Sequence, residues 1–210
     1  MQPEQIVTAY DRFAAPESPG FVYCPKCAAN LSIVGGTQER QSCPSCGWVY
    51  YRNPAPGVVI LISRENMVLL GKRSTSSYAA GAWCLPGGFV EYDEDFLSAA
   101  IREVQEETGL EVDITAIISV VSNFLTSGLH TLVVVLTARI VGGDEQPGDD
   151  LEELAWFPLE GPFPDMAFEA DRHIIERFWR TSLEGVPVDP CFARRRSDEI
   201  KPSLPLTMYV

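Results

Sequence analysis

Two periods of apolar residues run through this chain. Between Phe96 and Leu110, the residues Leu97, Ala100, Ile101 and Val104 recur at i, i+3, i+4 and i+7, which places them on one stripe of an α-helix. Asp93 or Asp95 can cap the start of that helix, and Gly109 is a favoured residue just past its end. A second helix is expected over 170–181, with Ile174, Ile175 and Phe178 on one face. Gly57 to Ser63 and Met67 to Gly71 read as strands around the polar turn Arg64-Glu65-Asn66. Residues 114–125 and 129–141 read as a long β-hairpin about Thr126-Ser127-Gly128, ended by Gly142-Gly143-Asp144. An acidic loop over 144–153 then leads into a short strand, Leu154 to Phe157. At the front, residues 5–14 read as a short helix followed by a Pro/Gly/Ser linker. The turn-rich join Arg52-Asn53-Pro54-Ala55-Pro56 separates a small module from the main domain. The expected organisation is an N-terminal helix and linker over 1–20, the module over 21–52, the main domain over 53–183 and a tail over 184–210.

The polar side of the first helix is unusual. Glu103, Glu106 and Glu107 stand at i, i+3 and i+4, so their carboxylates share one face, and the last two lie in the final turn, where the helix dipole is already negative. Like charges one turn apart each destabilise a helix by about 0.2–0.5 kcal/mol, and the dipole adds a comparable penalty. A solvated acidic face is the plain alternative. A divalent cation would reverse both signs, and hard oxygen ligands of this kind suit Mg2+ or Mn2+.

A second constellation lies in the module. Cys24-Pro-Lys-Cys27 and Cys43-Pro-Ser-Cys46 form C-x2-C-x15-C-x2-C, a spacing that fits a four-thiolate Zn2+ site, structural because it leaves no open coordination position. Pro25 and Pro44 stiffen the two turns, and Gly47 lets the backbone bend after the last cysteine. The alternatives are two disulfides or a redox C-x2-C, both disfavoured by the paired turn chemistry and the reducing compartment expected below. Cys84, between Trp83 and Leu85, reads as a buried small apolar residue.

Charge narrows the choice of partner. The net charge is −13, and residues 91–111 hold eight acids against Arg102 alone. Such a field repels phosphate unless metal or local cations such as Lys72 and Arg73 meet it, and it disfavours duplex nucleic acid. Met1 to Tyr10 is polar, and the apolar runs Val58 to Ile62 and Leu132 to Leu136 are too short to span a bilayer. A cytoplasmic protein without membrane association is expected.

The stretch from Gly88 to Leu110 resembles the signature of the Nudix hydrolases, G-x5-E-x7-R-E-(apolar)-x-E-E-x-G-(apolar). Gly88, Glu94, Arg102, Glu103, Val104, Glu106, Glu107, Gly109 and Leu110 fill every defined position. The resemblance implies an α/β/α sandwich with a mixed sheet, preceded here by a four-cysteine zinc ribbon. It implies hydrolysis of a nucleoside diphosphate linked to another group. On that resemblance Glu103, Glu106 and Glu107 are metal ligands with the carbonyl of Gly87, Arg102 orients Glu103, and Glu94 acts from behind the ligands or through water. The general base is either a box glutamate or an acid on a later loop, where Glu152 and Glu153 are the candidates.

The ribbon directly before the box resembles the NADH pyrophosphatase branch and related flavin-nucleotide and ADP-ribose hydrolases. Members specific for NADH carry Ser-Gln-Pro-Trp-Pro-Phe-Pro-x-Ser after the box, whereas this chain has Ser119-Val-Val-Ser-Asn-Phe-Leu-Thr-Ser127. ADP-ribose, FAD or an NAD(H)-like dinucleotide therefore stand level as small-molecule substrates, and NAD-capped RNA is disfavoured. Phe124, His130, Phe163 and Phe168 are candidates for a nucleotide-binding face. The family resemblance also implies a homodimer. The competing function classes are a nucleotide-sensing regulatory domain, against which the intact box argues, and a ribbon-based RNA- or protein-binding adaptor, against which the acidity argues.

Overall fold

The computed structural model describes residues 7–10, 20–34, 40–77, 79–124, 129–182 and 184–193. Its elements, in chain order, are β1 (Val7–Tyr10), β2 (Ser32–Val34), β3 (Arg40–Ser42), β4 (Ala55–Arg64), β5 (Met67–Arg73), β6 (Trp83–Cys84), α1 (Phe96–Thr108), β7 (Leu110–Phe124), β8 (His130–Gly143), β9 (Leu151–Pro158), α2 (Glu169–Thr181) and β10 (Val186–Pro187). The main sheet is mixed, in the order β1-β7-β8-β4-β5-β6, with β10 added to β7 and β9 to β5. β7 and β8 form the expected hairpin, and β8 runs parallel to β4, from Ala55 opposite Thr131 to Ile62 opposite Ala138. The hairpin turn lies outside the described residues.

Alternation along β4 explains the layers. Val58, Ile60 and Ile62 pack on one face with Ala100, Ile101 and Val104 of α1. Leu61 packs on the other face with Ala170, Ile174 and Ile175 of α2. A strand buried on both faces sends successive side chains to opposite sides, so one strand anchors a helix on each. The result is the α/β/α sandwich with a mixed sheet.

Helix α1 is fixed at both ends by its own sequence. Asp95 accepts hydrogen bonds from the N–H groups of Leu97 and Ser98 at 2.9 and 3.1 Å, an N-cap worth about 1 kcal/mol. Those bonds and the Ser98 hydroxyl outweigh the burial that opposes ionisation, so the Asp95 carboxyl lies below its usual range. Gly109 ends the helix at φ 70°, a left-handed conformation that glycine adopts without steric cost, and its N–H donates to the Gln105 carbonyl.

Two expectations are corrected. Within the segment expected to be a helix, residues 7–10 form β1, which pairs in parallel with β7 from Val120 to Asn123; the other residues of that segment lie outside the described ones, as does most of the linker. Val7 and Thr8 are β-branched, and a ready sheet edge on β7 offers partners that no local window shows. β9 begins at Leu151, earlier than expected, so Glu152 and Glu153 stand on a strand rather than a loop. Within the expected tail, β10 pairs with β7, and the Ile114 N–H donates to the Ala193 carbonyl.

The ribbon consists of the β2–β3 hairpin and two matching turns. In each, the residue four after the first cysteine donates to that cysteine's carbonyl, Ala28 to Cys24 at 2.8 Å and Gly47 to Cys43 at 2.9 Å. Phe21, Trp48 and Tyr50 form an aromatic cluster beside them, with the Phe21 and Tyr50 rings 4.9 Å apart. Among the described residues of this module, only Cys24 and Cys43 are buried. That is too little apolar burial to hold some thirty residues by itself.

Candidate active site

A cavity of about 500 Å³ opens where the second half of α1, the loop before the helix and the β4, β7 and β8 strands meet. Seven acids line it, Glu91, Glu103, Glu106, Glu107, Asp149, Asp150 and Asp171, against two cations, Arg73 and Arg102. Its size falls within the range of small-molecule sites.

Arg102 is the hub. Its Nε and Nη2 donate to the two oxygens of Glu94 at 3.1 and 2.5 Å, its Nη1 to Glu103 at 2.8 Å and to Glu106 at 2.9 Å, and its Nη2 also to the Phe89 carbonyl at 3.0 Å. One planar fork thus fixes three carboxylates, a geometry that a lysine could not reproduce. The Glu94 hydrogen bond holds that acid below its usual range, against the opposing effect of burial. Glu94 therefore stands behind the hub.

Glu107 faces a different constraint. It is 3 % exposed, and its Oε2 accepts from the Gly87 N–H at 2.8 Å. Burial pushes its carboxyl up to about 8, and the Gly87 hydrogen bond only partly offsets this. Glu103 is also raised by burial, with Arg102 opposing. Gly88 permits the packing here, because a β-carbon at that position would collide with the Glu103 carboxylate. Two buried acids that resist ionisation amid a surplus of five carboxylates describe a site short of positive charge. Hard oxygen donors are the ligand set for Mg2+ or Mn2+, so the residues present fit such an ion. Among the described residues, only the four cysteines bring three or more ligand atoms within 4.8 Å of one another.

Those cysteines fit zinc. All are free thiols. The Sγ separations of 3.6 Å for Cys24–Cys46 and 3.4 Å for Cys27–Cys43 are far beyond a disulfide bond. They lie close to the sulfur spacing of about 3.8 Å that four thiolates at about 2.3 Å from one tetrahedral ion require. Burial opposes ionisation of Cys43, but backbone N–H groups of Cys46 and Ser45 outweigh it and set its thiol at about 7. For Cys46, the Trp48 N–H favours the thiolate, yet burial and the neighbouring sulfurs prevail and push it up to about 12. Four sulfurs this close ionise together only around a cation.

The remaining candidates divide. Glu153 lies on β9 opposite Lys72, whose ammonium it meets at 3.3 Å with Glu152 at the same distance, and neither acid lines the cavity. Lys72 is accordingly occupied, and its pKa is raised by those pairs. Arg73 does reach the cavity, where it meets Asp150 at 2.7 Å and lies 5.7 Å from the Phe168 ring. Phe168 lines the cavity, whereas Phe163 packs on the α2 side of the core with Arg172 over its ring. The side chain of Phe124 lies outside the described residues.

Sequence reasoning missed Asp149, Asp171, Asn123 and Thr131, all of which line the cavity. Asp171 had a signal: it stands three and four residues before Ile174 and Ile175, hence on the apolar face of α2. It is 3 % exposed, accepts the Leu85 N–H at 2.9 Å, and burial raises it to about 7 despite that bond and Arg73.

Comparison with known proteins bears on this geometry. A family model described as the NUDIX domain matches residues 52–178. An ADP-ribose pyrophosphatase from Methanocaldococcus jannaschii is 34% identical over 131 residues, covering 62% of this chain and 76% of that protein. The NAD-capped RNA hydrolase NudC of Pseudomonas aeruginosa is 30% identical over 172 residues, covering 80% of this chain but 59% of its own length, so the chain spans little more than half of that relative. Among solved structures, a NUDIX hydrolase from Nitrosomonas europaea is 30% identical with a TM-score of 0.67, covering 76% of this chain and 91% of that chain.

Proposed function

The chain belongs to the Nudix family, and from that premise we propose that it is a pyrophosphohydrolase dependent on Mg2+ or Mn2+. It cleaves the diphosphate of a nucleoside diphosphate joined to a second moiety, and releases a nucleoside monophosphate. The observation that carries this reading is the Arg102 hub: one guanidinium holds Glu94, Glu103 and Glu106 at a cavity with seven acids and two arginines. The names of the similar proteins, ADP-ribose pyrophosphatase and NAD-capped RNA hydrolase, support an adenosine diphosphate conjugate as the substrate class.

Glu103, Glu106, Glu107 and the Gly87 carbonyl would hold the cation. Bound there, it would supply Lewis acidity toward the diphosphate oxygens and toward the attacking water. Arg102 keeps Glu103 and Glu106 in register through a single nitrogen. Arg73, pinned by Asp150, presents a fixed positive charge to the anionic substrate in the same cavity. Phe168, beneath Arg73, offers an aromatic face for a base. Among later-loop acids, Asp149 takes the place expected for Glu152 or Glu153 as a proton acceptor, since it lines the cavity and its charge helps raise Glu103. The ribbon's four cysteines would hold one structural Zn2+.

A hydrolysis panel of ADP-ribose, NADH, NAD, FAD, coenzyme A and diadenosine polyphosphates tests the reading. With Mg2+ or Mn2+, at least one compound is expected to yield AMP, and chelation is expected to stop the reaction. Absence of turnover for every compound with either ion, in folded protein, would overturn it.

A further inference from the structure

On the β7–β8 hairpin, Asn123 and Thr131 face each other directly across the ladder and both line the cavity. They are 8 % and 4 % exposed, and neither the Asn123 Oδ1 nor the Thr131 Oγ1 has a hydrogen-bond partner among the described residues. A buried polar atom left unpaired costs about 1–3 kcal/mol, so folding gives no reason to place two of them side by side. Their neighbours on the same wall, Leu129 and Val133, are apolar.

Position sets what they could meet. A β-carbon on Gly57 would lie 3.1 Å from the Gly88 carbonyl and 3.6 Å from a Val133 methyl, so Val133 borders the first residue of the box. Thr131 lies two residues before Val133 on the same face of β8, about 6–7 Å further along the strand. A phosphorus seated beside Gly88 would bring the hydroxyls of the sugar it esterifies to about that distance. An amide and a hydroxyl offer both donors and acceptors, which matches a vicinal diol, since each sugar hydroxyl can also give and take. Phe168, the aromatic face suited to a base, lines the same cavity beside Arg73.

We propose that Asn123 and Thr131 form a subsite for the hydroxyl groups of a ribose attached to the substrate's diphosphate. The proposal rests on the diphosphate binding at the box, but it concerns binding and not bond cleavage. It makes the pair specificity-determining: the site selects a sugar that carries hydroxyls over one that lacks them.

The test uses the non-cleavable α,β-methylene analogue of ADP-ribose with Mg2+, titrated calorimetrically against the whole chain. Two further analogues are compared, one without the adenosine 2′-hydroxyl and one without the hydroxyls of the terminal sugar. Wild-type protein is expected to bind one of these two roughly 10-fold more weakly than the parent. Thr131→Val and Asn123→Leu, close in shape and apolar, are expected to bind the parent roughly 10-fold more weakly, to lose the discrimination, and to melt at the wild-type temperature or above. Equal binding of all three analogues by wild-type protein, no binding of any, unchanged affinity in both variants, or a marked fall in melting temperature in both would each overturn the subsite. Hydrolysis of ADP-ribose without this discrimination would remove the subsite alone. Discrimination without hydrolysis would leave the subsite and remove the proposed reaction.

Discussion

Glu107→Gln should lower turnover by about 10³-fold or more while the protein stays folded. The magnitude follows from losing a ligand to an ion that contributes several kcal/mol of transition-state charge stabilisation, at about 1.4 kcal/mol per tenfold in rate. Glutamine keeps the carbonyl that accepts the Gly87 N–H, so the local structure retains its hydrogen bond. It also removes a carboxyl that burial has pushed up to about 8. A group whose folded pKa exceeds its unfolded value supports folding below the unfolded pKa and loses that support as pH rises through the folded one. For Glu107 the window runs from an ordinary 4.5 to about 8. Metal-free wild-type protein should therefore lose stability across that window, and metal-free Glu107→Gln should lose less. Asp171, raised to about 7, and Glu103 act in the same direction, so the slope should shrink without vanishing. Steady-state kinetics alongside pH-dependent melting checks both halves. Undiminished turnover in folded Glu107→Gln would show that the box is not the metal site.

Removing the metal proposed at the four cysteines should unfold the ribbon and leave the main sheet standing. Structural Zn2+ contributes about 10–16 kcal/mol of apparent binding free energy in small cysteine modules at neutral pH. Here, among the module's described residues, only the two buried cysteines resemble a core. One zinc per chain is expected by elemental analysis. In Cys24→Ser and Cys43→Ser, hydrogen exchange should become fast across β2 and β3 while β4, β7 and β8 stay protected. A metal-free preparation with protected β2 and β3 would contradict the account.

The box helix was legible because its evidence is local. The stripe, the Asp95 cap and the Gly109 terminus all fall within fifteen residues, and each constrains the same helix. The cysteine quartet was legible for the same reason, as spacing alone determines which sulfurs can converge. β1 was not, because a short apolar run fits either period and its partner on β7 lies more than a hundred residues away. β9 was read too short because Glu152 and Glu153 interrupt its apolar pattern. In the structure they are exposed and pair with Lys72 across the ladder. The cavity wall was the least legible part. Asn123, Thr131 and Asp171 come from three elements and share no motif, so only the β7–β8 register and the seating of α2 bring them to one space.

The most direct measurement follows the oxygen atom. In 18O-enriched water with Mg2+ and ADP-ribose, the proposed attack of water on phosphorus should place one 18O on the phosphate of a single product, either AMP or ribose 5-phosphate, with turnover abolished by chelation. Products without 18O on phosphorus, or turnover that survives removal of the divalent ion, would contradict metal-dependent hydrolysis at the box.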